Sequence, residues 1–119
     1  MPATEQVVEL AKVAAQAAFD KQATEIVLLD VSDHLVITDL FLICTAQNER
    51  QVGAIVDAVE EALQQRGTRP IRREGEREGR WVLLDYFDFV VHVQQAEERS
   101  IYDLERLWRD CPHIPLELK

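Results

Sequence analysis

Apolar residues recur along this chain with two periods, about 3.6 and about 2, and the switches between them outline the elements. Val7, Val8, Leu10, Ala11, Ala14, Ala15, Ala18 and Phe19 take the spacing of a helix with one buried face over residues 4 to about 20, with Thr4 as its cap. EIVLLDV, residues 25 to 31, is a short apolar run of the kind found in strands covered on both sides. A second strand lies within VITDLFLICT, residues 36 to 45, where the inner Asp39 marks either a bulge or a residue on an open face. Asn48 followed by Gln51 has the form of a capping box, and Val52, Ile55, Val56, Val59, Ala62 and Leu63 then repeat at helical spacing until Gly67.

The second half reads differently. Arg69 to Glu74 is a polar, proline-bearing strand suited to a sheet edge, and EGEREG is a glycine-bearing connection that pairs it with Arg80 to Tyr86 as a hairpin. Phe89 to Gln94 gives the last strand. Glu97 to Trp108 gives a final helix with Ile101, Leu104, Leu107 and Trp108 facing inward, and Pro112 and Pro115 end regular structure. The order α, β, β, α, β, β, β, α predicts a single α/β domain over residues 1–119, more narrowly α+β, with one mixed five-stranded sheet and helices mainly on one face.

Charge narrows the function classes. The formal net charge is −9, with 13 basic residues against 22 acidic ones, which disfavours primary nucleic-acid binding because such binding rests on Lys and Arg neutralising phosphates. The basic charge is concentrated: between residues 66 and 80 six arginines meet three glutamates, +3, which leaves −12 for the remainder. That field favours a basic partner. The arginine-rich segment, with its interleaved glutamates, reads as a solvated edge more readily than as a phosphate site. No run of about 18 apolar residues is present to span a membrane, and MPATEQVVEL lacks the pattern of a secretory signal, so a cytoplasmic protein is expected. Cys44 and Cys111 are too few for a disulfide scaffold, and Cys111 with His113 supplies two ligands where a metal site needs more.

RWVLLDYFDFVVHV, residues 80 to 93, holds the residue types that invite a chemical reading. Alternation puts Trp81, Leu83 and Asp85 on one face and Val82, Leu84 and Tyr86 on the other. Trp81 is then either a core residue or an exposed anchor of the type that dominates binding hot spots. Asp85 and Asp88 flank a tight turn, where aspartate commonly bonds the local backbone. His92 has no serine or cysteine partner in sight, and the phosphate-loop, dinucleotide and zinc-protease motifs are absent. No catalytic residue, metal or cofactor is assigned.

DLFLICTAQNERQVGAIVDAV (39 to 59), REG followed by GRWVLLDYFDFVVHV (73 to 93) and EERSIYDLERLW (97 to 108) together resemble the ribosomal silencing factor, or Iojap-like, family over nearly the whole chain. Two departures stand out. Ala46 replaces a glycine in the turn after the second strand, and Leu40 stands where an aromatic is common. The resemblance implies a nucleotidyltransferase-like topology without the Gly-Ser motif or the Asp-x-Asp pair of that reaction. It implies a non-enzymatic translation repressor that binds protein fourteen of the large ribosomal subunit, blocks joining of the subunits when nutrients are short, and forms a homodimer when free. It further implies a contact strip of Trp81, Leu83, Asp85, Asp88 and His92, with Tyr86 as an added member. Two alternatives are an assembly factor of the large subunit, and a residual nucleotide-binding domain using Asp39, Asp85 and Asp88 with Mg²⁺.

Overall fold

A computed structural model describes residues 4–119. Thr4 caps helix α1 (Glu5–Asp20) by accepting from the Val7 N–H. The buried face of α1 is mostly alanine, with Ala11, Ala14, Ala15 and Ala18 fully covered. Side chains that small let the helix lie close to its neighbours. Phe19, expected on that face, is instead 40% exposed, because the helix ends one residue later and the chain turns away through Gln22 at φ +67°.

Strand β1 (Thr24–Asp30) leads through a loop to β2 (Leu40–Ala46), and Asn48 then caps α2 (Glu49–Gln64). Asn48 accepts from the Gln51 N–H at 2.8 Å, but the Gln51 amide oxygen reaches back to the Gln47 N–H. The Gln51 amide nitrogen donates to the carbonyls of Lys21 and Gln22, so one side chain ties the start of α2 to the end of α1. Gly67, at φ +81°, ends the helical run as its backbone freedom allows. Ala46 lies fully buried within β2 at negative φ, so no glycine is needed there.

Strands β3 (Arg72–Glu74), β4 (Trp81–Asp85) and β5 (Phe89–Gln95) complete a sheet of order β1-β2-β5-β4-β3. The β2 and β5 strands run parallel at its centre, and the other pairs are antiparallel. The predicted arginine-rich hairpin forms with Arg72 opposite Asp85, though its first strand is shorter than expected. Asp39 neither bulges nor joins β2. It precedes the strand, donating its N–H to the Asp88 carbonyl and accepting from Val31. The irregularity lies in β1, between Thr24 and Val27, where Glu25 has φ +48°. As its apolar run predicts, β1 is covered on both faces, with Leu28 buried on one and Leu29 on the other; one of its edges pairs with β2, and on the other Leu29 bridges to His113 while Asp30 and Leu28 bond Pro112 and Ile114.

Helices α1 and α2 cover one face of the sheet over the larger core, with Leu28, Leu42, Leu84, Val91 and Val93 beneath them. The opposite face carries a smaller core of Leu29, Val31, Phe41, Ile43, Val90 and Cys111. The predicted final helix is two short ones, α3 (Ala96–Ile101) and α4 (Leu104–Leu107). Asp103 breaks it by capping α4 through the Arg106 N–H, a local bond that competes with continuous helix. Leu104 and Trp108 consequently pack on the smaller core, whereas Ile101 and Leu107, expected inside, are 63% and 71% exposed. The buried Arg99 fixes this arrangement by donating to the Thr45 hydroxyl at 3.0 Å and pairing with Glu105.

Candidate partner-binding face

On β4 the alternation holds: Val82 and Leu84 enter the helix-covered core, while Trp81, Leu83 and Asp85 are half-buried on the other face. Strand pairing sets Leu83 opposite His92 and Asp85 opposite Val90, and the parallel neighbour adds Ile43 and Phe41 beside them. Four of the six predicted strip residues, Trp81, Leu83, Asp85 and His92, therefore come together at the β4 end of the face that α1 and α2 leave uncovered, while Asp88 stands apart in the turn before β5, beside Asp39 and Ile37. Tyr86 does not join them either. It lies on the opposite side, 5% exposed, its ring stacked 5.0 Å from Phe89, and burial raises its hydroxyl pKa above the usual range. A strand alternates its faces, so the residue after Asp85 had to point the other way.

Trp81 settles between its two readings. Its indole N–H donates to His92 Nδ1 at 3.1 Å, and its ring lies 5.2 Å from that of Tyr102, which leaves the tryptophan half-buried. His92 is 5% exposed and meets Phe41 edge to face at 4.9 Å. Burial pulls its pKa down to about 4, so the ring is neutral near pH 7. With Nδ1 accepting, the proton sits on Nε2, which has no hydrogen-bond partner among the described residues.

Asp85 is largely engaged at home. One carboxylate oxygen accepts from the Phe87 N–H at 2.8 Å, and the other stands 3.5 Å from Arg72 Nη2. This fixes the turn between β4 and β5 and holds Phe87 at φ +73° with its ring 64% exposed. Asp88, in the same turn, is exposed. Among the described residues no group of three or more His, Cys, Asp and Glu stands close enough to hold a metal ion, so Asp39, Asp85 and Asp88 do not form a magnesium site here. Arg73 of the basic segment forks onto Glu60 of α2, as an edge ion pair rather than an anion site.

The sequence reading missed the rim of this face. A depression of about 400 Å³ opens beside the strip, floored by Phe41, Leu83, Val90 and His92. Its border carries Ile37, Ile71 and Phe87, which are 79%, 67% and 64% exposed. Val36 beside them is fully exposed. They come from three separate stretches of the sequence, and only the fold assembles them. Large apolar side chains gathered in the open mark an interaction surface.

The profile of the family described as ribosomal silencing factor during starvation matches residues 4–119. The chain belongs to the ribosomal silencing factor family. It is similar to the ribosomal silencing factor of Halalkalibacterium halodurans, 42% identical over 109 residues that cover 92% of this chain and 93% of that one. The Bacillus subtilis silencing factor is likewise 42% identical over 106 residues, 89% of this chain and 90% of the relative. A crystal structure of a Chromobacterium violaceum protein superposes with a TM-score of 0.83 at 34% identity, covering 86% of this chain and 85% of that one. A ribosome-regulating family accords with a face that gathers apolar side chains rather than a set of reacting groups.

Proposed function

We propose that this ribosomal silencing factor docks on protein fourteen of the large ribosomal subunit through the β4 face, and blocks small-subunit joining by bulk alone, without catalysis. The observation that carries the proposal is the exposed cluster of Ile37, Ile71 and Phe87 around a floor of Leu83 and His92, beside the exposed Asp88. Apolar side chains supply the area that docking buries, and a formal charge of −9 steers the domain toward a basic ribosomal protein while discouraging contact with ribosomal RNA. Trp81 and His92 act as a bonded pair that stiffens the strip, and Asp85 acts through the turn that presents Phe87. Such inhibition needs only that the domain occupy the ground on which the small subunit would sit.

Sedimentation of purified large and small subunits through a sucrose gradient, with and without the protein, tests this. The protein should travel with the large subunit and the joined peak should fall. A protein that stays at the top of the gradient while joining proceeds unchanged would defeat the proposal.

A further inference from the structure

We infer that the depression beside β4 receives one large apolar side chain from a segment of the docking protein that also carries Lys or Arg next to it. The inference rests on the docking proposal and names what enters the site. Three observations lead to it. At about 400 Å³ the depression has room for a single aromatic or long aliphatic side chain, and its floor of Phe41, Leu83 and Val90 is apolar. Thr38 and His92 also line it, each at least nine-tenths buried, and neither Thr38 Oγ1 nor His92 Nε2 has a partner among the described residues. Buried polar groups without partners are rare in a finished interior, and here both belong to the wall of an open depression, as expected of a surface completed by another chain. The ground around the depression is acidic, with Asp39, Asp85 and Asp88 against Arg72. A second copy of this chain, with its own excess of carboxylates, complements that rim less well than a basic segment does.

Two experiments on the full chain test the occupant. In the first, Phe87→p-benzoylphenylalanine keeps an aromatic ring on the rim and is irradiated with purified large subunits. Mass spectrometry should place the crosslink on a ribosomal protein, at an apolar residue within about three positions of Lys or Arg. A crosslink to ribosomal RNA alone, to a second copy of the chain, or to a stretch lacking either feature overturns the inference, and so does the absence of any crosslink while the protein still sediments with the subunit. In the second, Leu83→Trp fills the depression from its floor, and the paired exposed changes Ile37→Asp and Ile71→Asp spoil its rim without touching the core. Each should weaken co-sedimentation at least about tenfold while thermal unfolding shows a folded domain. A folded Leu83→Trp variant that binds like the unaltered protein overturns the occupant and leaves docking intact, whereas a folded Ile37→Asp, Ile71→Asp variant that does so overturns both the occupant and docking through this face. Failure of the unaltered protein to co-sediment removes the docking proposal itself.

Discussion

The indole N–H of Trp81 donates to His92 Nδ1 across 3.1 Å, joining the two polar aromatics that adjacent strands bring to the β4 face. The bond holds the histidine in the tautomer with its proton on Nε2, and burial keeps the ring neutral. Its folded pKa of about 4 lies below the ordinary 6.5, so the unfolded chain binds the proton more readily. The stability this confers is complete above pH 6.5 and is lost as pH falls toward 4, about 3 kcal/mol in all. Urea unfolding at pH 7.5, 6, 5 and 4.5 should show that loss in the unaltered protein, and His92→Gln should flatten it. Parallel profiles would mean that other groups govern the acid limb.

Arg99 offers a second test. It is 6% exposed, and its Glu105 partner is held by a four-residue helix. Replacing Glu105 by Gln removes a charge from a hydrogen bond to a buried cation, which costs about 2 kcal/mol. The denaturant midpoint should fall accordingly. Hydrogen exchange should quicken first over residues 96–108, since that bond secures the break between α3 and α4.

Two glycines with similar backbones should respond unequally to alanine. Gly67 and Gly75 have φ +81° and +85°, but a Cβ on Gly67 meets open space, whereas one on Gly75 would stand 1.9 Å from the Trp81 carbonyl oxygen. Gly67→Ala should cost about 1 kcal/mol from backbone conformation alone. Gly75→Ala should cost more than about 2 kcal/mol, because the hairpin must open to admit the methyl group. Comparable midpoints for the two variants would contradict this geometry.

Phe87 sets stability against docking. An aromatic at φ +73° is strained, and asparagine tolerates that region better. Phe87→Asn should raise stability by up to about 1 kcal/mol in thermal unfolding while weakening co-sedimentation with the large subunit at least about fivefold. A variant that is both more stable and fully active in binding would remove Phe87 from the interface.

Much of this was legible in the sequence because the signals were local. The Asn48 cap, the Arg72 to Asp85 hairpin and the opposed faces of Trp81 and Val82 each follow from residues within one turn or one strand. The break at Tyr102 was not read from the sequence: its cap at Asp103 is local, but the helical spacing of Ile101, Leu104 and Leu107 masked it, and the burial of Arg99 beside Thr45 that fixes it is a tertiary fact. Ile37, Ile71 and Phe87 were missed for a related reason. They stand far apart in the chain, and periodicity describes only neighbours. Tyr86 was an error of another kind: alternation already assigned it to the covered face, and the family resemblance drew it into the strip.

Residues 112–114 run along the end of β1 and take up the Leu28 carbonyl and the Asp30 N–H. Among the described residues the sheet then has an edge free along its whole length only at β3, a three-residue strand bearing Arg72, Arg73 and Glu74. A tile with two free margins can be laid in an endless row, but one with a single free margin can be matched only once. Copies of this chain that meet margin to margin would stop at a closed pair and could not grow into a fibre.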